Sequence, residues 1–493
     1  MSFFIYLIHI TCMPTKKYQN QLCNNDMTFE DCELTILRDA VDINELVTKK
    51  KIVNNPEISK IIKILESFLR KKKLVCYGGT AINNILPKKA QFYDKSSEIP
   101  DYDFYSSNAL DDSKELADIY YKAGYLEVEA KAGVHFGTYK VFVNYIPIAD
   151  ITYLHNTIFD SIKKESIVVD GIMYAPPNFL RMNMYLELSR PNGDVSRWEK
   201  VFKRLNLLNS SYPLSNINCS QVQILRQLQN QERETIQNSI RDSVIKESAV
   251  FFGGFAVYLY SRYMPNSDKR VLNKNPDFDI LATDARKVTN KIVADLKKNG
   301  IQKIDVIEHE EIGEIIPLHF EIRVNDNSVA FVYKTMACHS YNTLDIKRSS
   351  KKNSQIKVNV ATIDTMISFY LAFYYSDKAY YHQDRILCMT KLLFEVEQQN
   401  RLSQEGLLQR FTQSCYGTQE TLGDIRIHKT DKFKELSSKT KTREYEEWFL
   451  KYNPNMKKTK KTNTSKKNTT KRRNNIRKNV TFFDTMKTAG ILI

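Results

Sequence analysis

Apolar residues at 58, 61, 62, 64, 65, 68 and 69 of "ISKIIKILESFL" recur with the period of a helix. Behind them, "KKKLVCYGGTAINNIL" reads as a short apolar strand over 74–77, a Gly-Gly turn, and helix-compatible residues up to Pro87. "YKVFVNYIPIADITYL" (139–154) is rich in β-branched and aromatic residues and predicts one strand. "PPNFLRMNMYLELSRP" (176–191) predicts a helix that begins after its prolines and stops before Pro191. A second helix, amphipathic and basic, is predicted over 197–208, "RWEKVFKRLNLL". Residues 1–50 carry no usable pattern.

The same order of parts then returns. "SAVFFGGFAVYLYSRY" (248–263) is again apolar run, Gly-Gly and helix, and "NPDFDILATD" (275–284) repeats the proline-acid-aromatic-acid phrase of "IPDYDFYS" (99–106). "IPLHFEIRV" (316–324) predicts a strand carrying Glu321, and 362–376 and 384–394 echo the two helices of the first half. The interval from Gly78 to Asp101 is 23 residues and that from Gly253 to Asp277 is 24. From Asp103 to Asp150 it is 47, and from Asp279 to Glu321 it is 42. Two copies of so large a unit are a duplicated domain, since a solenoid needs shorter and more numerous repeats. The expected organisation is an N-terminal segment (1–50), a first domain (51–215), a second (216–455) and a tail (456–493). Each domain is expected to be α/β (α+β), a mixed sheet with flanking helices.

Composition refines this picture. The 493 residues are 42% hydrophobic and 11% aromatic, which is globular, and long enough for two or three cores. The net charge of +16 points to a polyanionic partner or substrate. Eleven Lys/Arg and no acid fall in 457–479, so the rest of the chain carries 16 minus 11, or +5. That tail lacks apolar periodicity and is expected to be disordered, either adding salt-dependent affinity for a polyanion or serving as a solubilising or import-like tract. "DIKRSSKKNSQIK" (345–357) is a second basic tract that would suit a phosphate backbone. The terminal "VTFFDTMKTAGILI" is apolar enough to dock on the body or on a partner subunit. The eight cysteines, at 12, 23, 32, 76, 219, 338, 388 and 415, have no close pair of the kind a zinc ribbon needs, and their scatter predicts reduced thiols. "MSFFIYLIHI" is too short to span a membrane and lacks a charged leader; it either precedes a true start at Met13 or packs on the body. No other stretch is apolar enough to span.

The candidate chemistry lies in the repeated phrase. A strand ending in Gly78-Gly79 before a helix lets backbone N–H groups approach a phosphate, and Thr80 would add a hydroxyl donor. Alone, such a pair is most often a turn. Asp101 and Asp103, two apart, project from one face of a strand and repel each other unless a hard divalent cation binds. Asp150 sits in an otherwise apolar strand, where a carboxylate is costly unless paired or metal-bound. Together the three acids and the Gly-Gly turn suit two metal ions around a nucleoside triphosphate.

"YGGTAINNIL…PDYDFYS…IADITYL" resembles the DNA polymerase β-like nucleotidyltransferase superfamily. The added "PPNFLRMNMYLELSRPNGDVSRWEKVFKRL" is similar to the poly(A) polymerase catalytic subunits of large cytoplasmic DNA viruses, of poxvirus and giant-virus type, over about 70–395. The resemblance implies tandem nucleotidyltransferase-fold domains and transfer of AMP from ATP to RNA 3′ ends. It implies two Mg2+ or Mn2+ ions on Asp101, Asp103 and Asp150, with Gly78 and Gly79 on the triphosphate. Arg190, Arg197, Lys200, Lys203 and Arg204 become candidates for triphosphate or RNA contacts, against the plain alternative of a solvated basic face. It further implies action in the host cytoplasm or viral factory and in the virion. A homodimer and a processivity partner are both compatible with it. Gly253, Gly254, Asp277, Asp279 and Glu321 are the second-copy equivalents. There, glutamate's extra methylene and Phe255 in place of Thr80 predict a retired site. Adenine preference comes from the resemblance alone, so transfer of another nucleotide stays open, as does an inactive RNA-binding scaffold.

Overall fold

The computed structural model describes residues 22–455 apart from 25, 95–99, 221, 223–231, 266–268, 270–275 and 348–354. The basic tail, the apolar start and end, and the centre of the 345–357 tract lie outside the described residues.

The first half runs α1 (Phe29–Val53), α2 (Pro56–Lys72), β1 (Val75–Tyr77), α3 (Gly78–Ile85), β2 (Tyr102–Ser106), α4 (Ala109–Lys122), β3 (Val128–Ala132), β4 (Thr138–Val143), β5 (Ile146–Tyr153), α5 (Asn156–Lys164), β6 (Ile167–Val169), β7 (Ile172–Tyr174), α6 (Pro177–Leu188) and α7 (Trp198–Ser211). In α2 the periodic residues Ile58, Ile61, Leu65, Phe68 and Leu69 are buried, the Asn55 side chain accepts from Glu57 N, and left-handed Lys73 stops the helix. The helix α1 was invisible to pattern because it keeps no apolar face: Phe29, Leu37 and Ile43 are all more than half exposed. The segment 139–154 is two strands, not one. Asn144 and Tyr145, both at positive φ, make the tight turn of a hairpin between β4 and β5.

The second half runs α8 (Arg233–Lys246), β8 (Val250–Phe252), α9 (Gly253–Tyr260), β9 (Phe278–Ala282), α10 (Ala285–Lys298), β10 (Ile304–His309), β11 (His319–Val324), β12 (Asn327–Lys334), β13 (His339–Lys347), β14 (Gln355–Ala361), α11 (Ile363–Tyr374) and α12 (Gln383–Gln399). Then come β15 (Cys415–Tyr416), α13 (Leu422–Leu436), α14 (Arg443–Phe449) and β16 (Lys451–Tyr452).

Each half builds an eight-stranded mixed sheet. The orders are β16-β3-β4-β5-β2-β1-β7-β6 and β10-β11-β12-β9-β8-β14-β13-β15. From β3 and from β10 onward, seven strands correspond one to one. The correspondence extends to detail: β2 runs parallel to β5 as β9 does to β12, a bulge follows Val141 and Ile322 alike, and Asn325-Asp326 repeat the positive-φ turn. The halves meet where α6 packs on its own counterpart α11, with Phe179 edge-on to Tyr375 and Ser340 N donating to Ser189 O.

Two expectations are corrected. The segment assigned to the second domain up to 455 ends on the first: β16 pairs with β3, Tyr452 donates to Asp118, and Lys114 and Asp111 hold Glu446 and Arg443. Nor are all of the described cysteines unpaired thiols, Cys12 lying outside the described residues. Cys23–Cys32, Cys219–Cys388 and Cys338–Cys415 are disulfide-bonded, and Cys76 is buried and free. Partners 169 and 77 residues apart are brought together by the fold, which spacing along the chain cannot reveal.

Candidate active site

The backbone assembles the site before any side chain acts. Strand β1 passes straight into α3 at Gly78, whose φ of +74° suits glycine. Register then sets Tyr77 opposite Asp103 on antiparallel β2, and Asp103 opposite Asp150 on parallel β5. Asp101, just before β2, is exposed, while Asp103 and Asp150 are half-buried. A methyl group on Gly78 would meet Asp103 Oδ2 at 2.6 Å, so the missing side chain is what admits that carboxylate.

The three acids feel one another. Burial pushes the Asp103 carboxyl up to about 7, and the charges of Asp101 and Asp150 add to this. Asp101, although solvent reaches it, is raised by the desolvation of its carboxyl among the neighbouring side chains and then by Asp150, against Lys140 and Lys200. The Tyr77 phenol is raised by burial and by Asp103, and so stays protonated; its hydroxyl shares a 2.8 Å hydrogen bond with Thr152. These crowded oxygens have the hard-donor chemistry that a divalent cation would relieve. Among the described residues, however, no three acidic, histidine or cysteine side chains close around a single ion. Asp150 instead accepts a hydrogen bond from Lys140 Nζ.

Of the other candidates, Thr80 is already committed: its hydroxyl donates to Asp101 O at 2.7 Å and fixes the approach to β2. Arg204 lies over the Gly-Gly turn, its Nη1 2.9 Å from where a methyl on Gly79 would sit, donating to the Tyr93 hydroxyl and stacked on Phe92. Lys200 bears on Asp101, and Arg197, in the turn before α7 and paired with Glu187 at 3.2 Å, bears on Asp103. Lys203 does not join them; it pairs with Glu199 in solvent at 2.6 Å. Arg190 is not there either. It is half-buried at the join of the two halves near Glu314, Glu187 and His339, and desolvation there lowers its guanidinium to about 10.

Lys140 and Tyr93 escaped sequence reasoning. Lys140 had a signal, as the lone cation facing Asp150 once 139–154 is folded into a hairpin. Tyr93 had none: Asn83 holds its backbone N–H, and that of Phe92, at 2.9 and 2.8 Å, a contact only the fold creates.

In the second half, Phe252 faces Asp279 as Tyr77 faces Asp103, but the acids are sealed: Asp277 is 1%, Asp279 6% and Glu321 1% exposed. Asp279 packs against Gly253, and Asp277 Oδ1 lies 2.5 Å from the place of a methyl on Gly254. Glu321 is not the counterpart of Asp150. Asp279 faces Phe331 across the parallel pair, and Phe331 faces Glu321 on β11. Phe331 thus stands in the place of Asp150, and Glu321 in that of Lys140. Glu321 is bound by Arg323 at 2.7 Å, His309 at 3.0 Å and Ser328; although burial opposes it, these bonds hold its carboxyl below the usual range. Lys391 of α12 is spent on the carbonyls of Ser215 and Ile217, and Arg385 is buried.

The family described as poly(A) polymerase catalytic subunit matches residues 63–194, which hold the Gly-Gly turn, all three acids and Lys140. A putative poly(A) polymerase catalytic subunit of African swine fever virus (isolate Pig/Kenya/KEN-50/1950) is 31% identical over 176 residues, 34% of this chain and 37% of the relative. The protein of that description from Acanthamoeba polyphaga mimivirus is 27% identical over 345 residues, 65% of this chain and 58% of the relative. The match therefore spans from little over a third to under two thirds of these relatives. The crystal structure of the Megavirus polyadenylate synthase shares the fold, with a TM-score of 0.70 at 20% identity, over 90% of this chain and 89% of that one.

Proposed function

We propose that this chain is a template-independent polynucleotide adenylyltransferase, a poly(A) polymerase that adds AMP from ATP to RNA 3′ ends. One observation carries the reading: the half similar to the viral catalytic subunits is also the half in which Asp103 and Asp150 meet on parallel strands, beside Asp101 and an open Gly-Gly turn. On this reading the N–H groups at the start of α3 receive the triphosphate, and Arg204, seated over Gly79, neutralises it. Lys200 at the start of α7 and Arg197 in the turn before it extend that positive surface toward the acids. Asp101, Asp103 and Asp150 would hold Mg2+ or Mn2+, two ions per site, which when bound supply charge neutralisation and activation of the primer hydroxyl. The primer 3′-oxygen then forms a bond to the α-phosphorus as the bond to pyrophosphate breaks in line. The chain's own contribution is positioning, through the register of β2 on β5 and the glycines that let Asp103 and the phosphates approach. Because the relatives are viral, we place its action in an infected cell.

The second half is read as a support with no chemistry of its own, since Phe331 cannot ligate and the remaining acids are sealed. The test is extension of a short RNA with magnesium and each ribonucleotide in turn. It would compare the native chain with Asp101→Ala/Asp103→Ala and Asp277→Ala/Asp279→Ala. Long A-tails lost only with the first pair are expected. No extension with any nucleotide would overturn the reading. Loss with the second pair alone, at unchanged melting temperature, would move the site to the second half.

A further inference from the structure

Asp150 is engaged by a group that nothing in the two-metal arrangement requires. Lys140 is its cross-strand partner, and Lys140 Nζ donates to Asp150 Oδ2. The pair sits at the rim of the site, with the lysine side chain 38% and the aspartate 23% exposed. An ammonium on a four-carbon stem at such a rim can leave the carboxylate for water without stranding a buried charge. The duplication supplies an internal comparison. Where Phe331 replaces the acid, the facing position holds Glu321, so the acid and its lysine are absent together. A lysine kept only to cover the face of β4 would have no reason to vanish with its partner.

Resting on the adenylyltransferase reading of the three acids, we propose that Lys140 is a resident counter-ion of the metal site. It occupies Asp150 in the cation-free protein and is displaced when a divalent cation binds. A dication needs the carboxylate oxygen that the ammonium holds, and the two cations repel if both crowd Asp150, so binding of one disfavours the other. Lys140 thus keeps the crowded acids in order while no metal is bound, and sets the concentration at which metal enters. Once displaced, its ammonium stands one strand from the acids, free for a phosphate of the RNA.

The test is a Mn2+ titration of the full chain, without nucleotide or RNA, reading free Mn2+ by its paramagnetic resonance. Lys140→Met and Lys140→Gln are expected to bind Mn2+ roughly tenfold more tightly than the native chain, about the worth of one charge-assisted hydrogen bond. Lys140→Arg should stay near the native affinity. In an Asp150→Asn background, Lys140→Met should change nothing. Melting temperature gives a second readout: without metal Lys140→Met should melt lower than the native chain, and saturating Mn2+ should raise it by more. Unchanged or weaker Mn2+ binding in both Lys140→Met and Lys140→Gln would overturn the proposal, as would no binding by either at millimolar Mn2+. Failure of the adenylyltransferase reading would show separately, as absent RNA extension in a native chain that still binds Mn2+ through Asp150.

Discussion

Gly78 and Gly79 are adjacent and chemically identical, yet they answer to different neighbours. Alanine at 78 must adopt φ of +74° and would press on Asp103 Oδ2, a short side chain on a central strand. Left-handed backbone alone costs about 1–2 kcal/mol in a residue with a Cβ. At 79 the obstructing atoms are the Tyr93 hydroxyl and the Arg204 guanidinium, both ends of long side chains that can swing away. Gly78→Ala should therefore lower melting temperature and reduce kcat by on the order of a hundredfold, because a carboxylate misplaced by an ångström loses its alignment. Gly79→Ala should fold normally and act mainly on KM for the nucleotide, by about tenfold, through the displaced Arg204. Steady-state RNA extension beside thermal melting separates the two, and equal kinetic losses in both variants would contradict this division. The glycines and the acids were legible in the sequence because backbone geometry and like-charge crowding restrict which residues can serve. Tyr93 was not, since its place depends on Asn83 holding the chain after α3.

Elements were easier to recognise than the register between them. The alternation in 139–154 identified strand but not the turn inside it, because Asn144 and Tyr145 carry no glycine to mark positive φ. The misassignment of Glu321 has a similar origin. Lys140 lies 37 residues after Asp103 and Asp150 lies 47 after it, whereas Glu321 lies 42 after Asp279 and Phe331 lies 52 after it. Five extra residues in the second half put Glu321 midway between the two choices, and only the β9–β12 register separates them. A further pair emerges where α11 begins and α12 ends: Asp364 and Glu397 line one partly open pocket with Arg410. Burial raises both carboxyls, Asp364 to about 6 and Glu397 to about 8; Asp364 raises Glu397 further, and Arg410 opposes both shifts. A carboxyl whose folded value lies above its unfolded one stabilises the fold fully below the unfolded value, and that stability is lost progressively as pH rises from there through the folded value. Urea unfolding should thus show stability falling from about pH 4, where free carboxyls ionise, to about pH 8, where Glu397 does. Asp364→Asn/Glu397→Gln, which keeps the pair uncharged, should flatten that fall, and parallel profiles would show that the pair does not carry it.

At the scale of the whole molecule, duplication gives two sheets of one topology joined through α6 and α11, with one half keeping an open site and the other a sealed one. Both halves were visible in the sequence because strand, Gly-Gly and helix recur in order; the return of the chain end was not, because β16 is two residues long and carries no pattern. That return closes the outer edge of the first sheet. β16 covers β3, Ala132 N donates to Leu450 O, Trp448 packs on Phe136 in the β3–β4 turn, and Lys429 Nζ reaches Gly133 O. Removing it would strip a strand from β3 and leave that edge unpaired. A chain ending at 440 should melt lower than one ending at 455 by on the order of 5 °C, a few kcal/mol for a domain of this size. Every contact named for the strap lies on β3, on the β3–β4 turn or on α4, and none on Asp101, Asp103 or Asp150. The shorter chain should accordingly keep its kcat at 20 °C and lose activity early on warming. Differential scanning fluorimetry with extension assays at two temperatures would decide it. A chain ending at 440 that melts normally but extends RNA poorly at 20 °C would instead give the strap a part in holding substrate, across the same β3–β4 turn that leads into Lys140.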